Sequence, residues 1–149
     1  MALYIFDKQH FAAPDLKLLR SLLRPVLTDL EIVGADIEIE LLDDQQIAQL
    51  NEKFFSRPWP TNVISFPLDK ESGHLGDIVV SVETVGPETR ALGYTLEEGL
   101  VYYLIHGILH LLGYEHVDVD PEIASLMEKR QDELFELVLK RTALTGVVK

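Results

Sequence analysis

The chain of 149 residues has no cysteine, so disulfides and thiolate metal ligands are both excluded. Any metal would have to be held by imidazole and oxygen. No stretch approaches the roughly 18 apolar residues of a membrane span, and no N-terminal segment joins a basic start to a sustained apolar run. The expected location is therefore the cytoplasm, with no membrane partner. Cations are scarce. Lys and Arg number 13 against 25 Asp and Glu, for a net charge of −12. A field of that sign repels nucleic acid overall, so any polyanion would need a local cationic groove. Repeats, low-complexity tracts and linkers are absent as well. The 47% hydrophobic content excludes a disordered chain, and the length fits one domain over residues 1–149.

What is present is concentrated in one run, His106-Gly-Ile-Leu-His110-Leu-Leu-Gly113-Tyr-Glu-His116, which holds three of the five histidines. On a helix, residues four apart lie on one face with Cβ atoms about 5–6 Å apart. His106 and His110 can then reach one ion at the roughly 2.0–2.1 Å of a zinc–nitrogen bond. Gly113 can adopt the left-handed conformation that ends a helix, which lets His116 swing back to the same ion. Three neutral ligands with a fourth position left over is the layout of a catalytic zinc site. The other two histidines, His10 and His74, read as surface residues, with His74 in a loop before a strand from which it could approach the site.

The remaining pattern predicts an α+β fold, a small mixed sheet packed on helices with the histidine helix in the core. Strands are expected at Ala2–Phe6, around Ile37, Ile39 and Leu41, at Val63–Phe66 and at Asp77–Val82. A helix capped by Asp15 carries Leu16, Leu19, Leu22, Leu23 and Val26, with Pro25 near its end. Asp43 or Asp44 caps a second helix. A glycine-bearing turn spans Asp69 to Gly76, and a helix interrupted at Gly86-Pro87 follows. Thr95 and Glu98 form a capping box for the histidine helix, which runs to Leu112. That helix is apolar almost all round, Tyr102 and Tyr103 included, and reads as buried. Asp120-Pro121 opens the last helix, Met127 falls in its core-facing periodicity, and residues 144–149 form a loose tail.

Other residues are candidates for the chemistry around such an ion. Asp77 could orient a ligating imidazole or a water, and Glu115, next to His116, could act as a base or as a hydrogen-bond partner to a ligand. Thr61, Asn62 and Ser65 offer neutral groups for ribose or phosphate oxygens. Trp59, in a proline-flanked loop, could stack on an unpaired base. Lys53 and Arg57 are the cations best placed for a phosphate backbone.

The histidine run, together with Pro60-Thr61-Asn62-Val63-Ile64-Ser65-Phe66-Pro67, Leu75-Gly76-Asp77-Ile78 and Leu50-Asn51, resembles the YbeY endoribonucleases, bacterial rRNA maturation factors. The likeness runs from about the second strand to the last helix. It implies a single zincin-like domain in which the three histidines bind one Zn2+. The implied activity is cleavage of single-stranded RNA, chiefly at the 3′ region of small-subunit ribosomal RNA, with a role in ribosome quality control. The small ribosomal subunit is the implied partner. One departure stands out. The family carries an aromatic–Arg pair shortly after Leu-Asn, and that arginine is held to serve the chemistry. Here the pair is Phe54-Phe55, and Arg57 is the nearest cation.

Two alternatives stay open at this point. One is a non-catalytic ribosome-assembly factor with a structural zinc, consistent with the loss of arginine at position 55 and with the acidic surface. The other is a metallopeptidase, since metzincins share the histidine spacing. They, however, carry a glutamate base after the first histidine, where this chain has Gly107.

Overall fold

The alternation Ile37-Glu38-Ile39-Glu40-Leu41 builds an inner strand of the sheet. A computed structural model describes residues 3–68 and 73–145. In it β2 (Asp36–Leu42) buries Ile37, Ile39 and Leu41 on one face and turns Glu38 and Glu40, half-buried, to the other. β1 (Leu3–Asp7) and β4 (His74–Ser81) pair parallel with its two edges. β3 (Val63–Pro67) closes the sheet antiparallel to β4, in the order β1-β2-β4-β3. The mixed sheet expected from the sequence is thus observed.

Four helices share one core with the buried sheet face: α1 (Leu16–Asp29), α3 (Val82–Ala91), α4 (Leu96–Leu111) and α5 (Pro121–Thr145). α2 (Asp44–Phe55) lies on the opposite face, where Ile47 packs on Leu42, Ile64 and Val79. α4 is central, touching α1, α3, α5, β3 and β4. Its Leu100, Val101, Leu104, Ile105, Ile108 and Leu109 are fully buried, as its composition predicts. The Thr95–Glu98 capping box is present. The Glu98 carboxylate accepts from Thr95 N at 2.9 Å and from Thr142 Oγ1 at 3.1 Å, which ties the start of α4 to α5.

Several boundaries differ from expectation. α3 is continuous through Gly86 and Pro87, because Ser81 caps it and Val82, Val85 and Thr89 bury one stripe. That packing outweighs the hydrogen bond a mid-helix proline removes. Pro25 lies inside α1 near its end, as expected. β4 starts three residues earlier than expected, at His74, and ends at Ser81, since Val82 already belongs to α3. Asp43 caps α2, while Asp44 enters its first turn and accepts from Ser81 Oγ at 2.7 Å. α5 runs on through Thr145, past the start of the expected tail. Ala2, residues 69–72 of the expected turn and residues 146–149 lie outside the described residues.

Candidate metal centre

The site begins with a close approach of helix to sheet. Ser65 Oγ donates to Gly107 O at 2.9 Å. A Cβ at position 107 would come within 2.9 Å of Ile78 Cγ2 and 3.0 Å of Ser65 Oγ. Position 107 therefore faces the sheet, and only glycine fits. With that face turned down, the half-buried His106 and His110 lie along the rim of α4.

The chain then reverses. Leu112 caps α4, Gly113 takes φ +96°, and the bonds Gly113 N→His110 O (3.0 Å) and Tyr114 N→Leu109 O (3.0 Å) complete a Schellman motif. No atom crowds a Cβ at Gly113, so its backbone conformation is what requires glycine. The reversal returns His116 to the other two. The ring centroids are 4.7, 4.8 and 4.9 Å apart, and ligating nitrogens from all three residues lie within 4.8 Å of one another.

The outer nitrogens fix the tautomers. His106 Nδ1 donates to Gln131 Oε1 at 2.9 Å, and His110 Nδ1 donates to Tyr114 O at 3.0 Å. Each neutral ring then keeps a lone pair on Nε2, and these two Nε2 atoms face each other at 3.1 Å. Two lone pairs so placed repel unless a cation sits between them. Burial, reinforced at His110 by its histidine neighbours, lowers the pKa of both rings and favours the neutral form that ligates metal. The residues present fit a divalent ion with a preference for imidazole.

Two cavities meet at this centre. One, of about 510 Å³, is lined by His110 together with Asn51, Phe55, Arg57, Trp59, Thr61 and Ser65. The other, of about 570 Å³, is lined by His106 and His116 together with Asn62, Tyr102, Tyr103, Met127 and Gln131. Arg57, Trp59 and Thr61 thus share a cavity wall with His110. Asn51 holds their loop: its Nδ2 donates to Trp59 O at 2.9 Å, and its carbonyl accepts from Arg57 N at 3.3 Å. Trp59 is 57% exposed. Phe55 stacks on Phe66 with 6.3 Å between centroids and lines the same cavity. Lys53 lies outside that lining, with Nζ 5.3 Å from the Phe54 ring. Met127 is buried, as expected, and His10 is exposed.

Four expectations need correction or narrowing. Asp77 is turned away from the histidines. Gly76 and Ile78 face α4, since a Cβ at Gly76 would meet Leu111 and Ile78 meets position 107, so the residue between them points to the opposite sheet face. There Asp77 Oδ1 accepts from His74 Nε2 at 2.9 Å, beside Glu38. His74 accordingly belongs to that second cluster and not to the metal centre. The Ser65 hydroxyl proton is committed to Gly107 O, which gives it a structural task. Glu115 is exposed, and its charge acts on His110, raising its pKa against the stronger effects of burial and the other histidines. The sequence reading missed Gln131 altogether. The residue is buried and lies 25 positions from its partner, and the only available signal was a lone amide on the core side of a polar helix.

Comparisons with known proteins bear on the chain as a whole. The profile of the family described as Endoribonuclease YbeY matches residues 6–138. A protein named Endoribonuclease YbeY from Syntrophus aciditrophicus is 33% identical over 144 residues, covering 93% of this chain and 90% of the relative. A protein of the same name from Aquifex aeolicus is 37% identical over 118 residues, covering 77% and 75%. The solution structure of a Thermotoga maritima protein superposes with a TM-score of 0.68 at 28% identity, covering 96% of this chain and 93% of that one. The family match spans the histidine run and the Pro60–Pro67 segment beside it, and the chain belongs to the YbeY endoribonuclease family.

Proposed function

We propose that this protein is a zinc-dependent endoribonuclease that cuts single-stranded RNA, acting on ribosomal RNA at the 3′ end of the small-subunit species and in ribosome quality control. The observation that carries the reading is the convergence of three imidazoles whose outer nitrogens, in His106 and His110, are already satisfied, leaving Nε2 of both for an ion. Bound there, zinc would supply a Lewis acid that polarises a phosphoryl oxygen and acidifies water. The chain's own groups do the rest. Gln131 and Tyr114 O hold the ligand rings in one tautomer. Arg57, on the wall of the cavity that reaches His110, stabilises the negative charge that builds on phosphate oxygens. Trp59, beside it, stacks on an unpaired base, and Thr61 hydrogen-bonds ribose or phosphate oxygens. In this reading ribosomal RNA and the small subunit are the partners, and the cytoplasm is the location. No helix among the described residues is long and apolar enough to cross a membrane.

A peptidase is disfavoured by the same close approach that shapes the site. Position 107 faces Ile78 and Ser65 and has no room even for a methyl group. A glutamate there could not serve as a general base. An assembly factor with a structural zinc is disfavoured by the donor set, since the cluster among the described residues offers three protein ligands, one short of a closed tetrahedral site. The test is a reaction panel with zinc-loaded protein on unstructured RNA, duplex RNA and peptide. Cleavage of unstructured RNA that stops on chelation and returns with zinc is expected. Peptide cleavage, or inertness towards all three, would overturn the proposal.

A further inference from the structure

The cavity on the α5 side of the histidines has no task in the proposed cleavage, and its walls differ from those of its neighbour. Tyr102 stands four residues before His106 and eight before His110, so the three lie on one stripe of α4, with the tyrosine about one turn, roughly 6 Å along the axis, from the first ligand. Both Tyr102 and Tyr103 are half-buried, although the apolar residues around them on this helix are buried. Their positions are fixed. Tyr103 OH donates to Glu88 Oε2 at 2.8 Å, and the two tyrosine rings meet edge-on at 5.4 Å. Tyr102 packs edge-on against Phe135 at 5.0 Å and lies within hydrogen-bond reach of Gln131.

We infer that this cavity receives one unpaired nucleobase of the RNA strand, the base next to the phosphate held at the metal centre. The inference rests on the proposed RNA-cleaving function and adds a subsite to it. Three observations carry it. First, His106 and His116 line the cavity together with the tyrosines, so a strand reaching the ion passes its mouth. Second, among the described residues the lining has no Lys or Arg and includes the Glu128 carboxylate. Such walls repel phosphate and accept an uncharged heterocycle. Third, the aromatic rings are held by their own contacts before any ligand arrives, so little ordering entropy opposes stacking on them. The 570 Å³ of the cavity lies within the range of small-molecule sites.

The test reads binding separately from cleavage. A labelled, unstructured octaribonucleotide is titrated with zinc-loaded protein by fluorescence anisotropy, and the titration is repeated with oligonucleotides carrying a single abasic residue at each position in turn. Wild-type protein should bind at least about fivefold more weakly when one particular position is abasic, beyond any weakening on the Trp59 side, as expected for one aromatic stack. Tyr102→Ala should bind the intact oligonucleotide that much more weakly, should no longer respond to that abasic position, and should keep its zinc by elemental analysis. Tyr103→Leu serves as the second variant, and the wild-type scan needs no variant. A scan that responds only on the Trp59 side, a Tyr102→Ala protein with unchanged affinity, or no RNA binding at all would overturn the inference. Cleavage assays on the same samples keep the two claims apart. Cleavage without a second sensitive position removes the base pocket and leaves the nuclease, while a second sensitive position without cleavage does the reverse.

Discussion

The two cavities that meet at the histidines are built from opposite materials. One is formed by the end of α2 and the loop after it, Phe55 to Thr61, pinned by a single buried asparagine and bearing a cation and an exposed tryptophan. The other lies between two helices, has fixed aromatic walls, and among the described residues is lined by no Lys or Arg. The overall charge of −12 makes the contrast matter. Phosphate attraction has to come from the loop side, and the helix side can contribute shape and stacking but little long-range pull. Phe55 lies on the loop side, where an arginine in its place would change the local charge. The histidines belong to both walls, so their removal should be felt by both.

The largest expected effect follows from that shared position. His106→Ala, His110→Ala and His116→Ala should each lose most bound zinc and RNA cleavage, because removing one of three ligands leaves two imidazoles without a third donor. Elemental analysis checks this directly, and full zinc occupancy in any of the three variants would break the assignment. Gln131→Leu comes next and acts from the helix side. It keeps all three ligands but leaves His106 Nδ1 without the acceptor that fixes its tautomer. Zinc affinity should fall about 10- to 100-fold, as measured by competition with a chelating dye. Gln131→Glu should recover most of that affinity, a rescue that a purely space-filling role would not give.

Arg57→Ala probes the loop side. It should lower RNA cleavage about tenfold or more while zinc content and fold stay unchanged, since the side chain shares a cavity wall with His110 but is not itself a ligand. Arg57→Lys should restore only part of the rate, because a point charge cannot form the two-pronged contact of a guanidinium. Phe55→Arg should raise the rate, as position 55 already lines the same cavity. Turnover at the wild-type level in Arg57→Ala would show that the loop grips RNA without acting in the chemistry.

How far each side could be read in advance follows from the range of the signal. The convergence of the three histidines was legible because i, i+4 spacing and a helix-ending glycine are local geometry, and the Schellman bonds at Gly113 and Tyr114 follow from it. The strands were legible from alternation, and α4 from its apolar surface. What failed depended on parity or distance. Asp77 looked close to the site in a motif sense, yet β4 begins earlier than expected and alternation turns Asp77 to the far face, against His74 and Glu38. Gln131 acts across 25 residues, and Tyr102 and Tyr103 looked like core because only the packing of α5 decides which face of α4 stays open. Gly86-Pro87 looked like a break because the local cost of proline was visible and the buried stripe that offsets it was not.

The smallest effect distinguishes the two cavities most cleanly. Lys53 lies in the last turn of α2, on the loop side, with Nζ over the Phe54 ring and outside the cavity lining. It therefore adds to the field that attracts phosphate without touching the reacting group, and that field is screened within about 10 Å at 0.1 M salt. Lys53→Ala should weaken RNA binding a few-fold at low salt and hardly at all at high salt. The slope of log affinity against log salt should become shallower by about 0.7, the value for one neutralised phosphate of a single strand. Tyr102→Ala should behave differently, lowering affinity by the same factor at every salt concentration, because stacking releases no counterions. Titrations of both variants from 50 to about 200 mM salt, a range over which phosphate binding is strongly salt-sensitive, give two lines for each comparison. Converging lines for Lys53→Ala and parallel lines for Tyr102→Ala are expected. Parallel lines for both would mean that the loop side grips RNA without its charge, and the contrast between the cavities would then be one of shape alone.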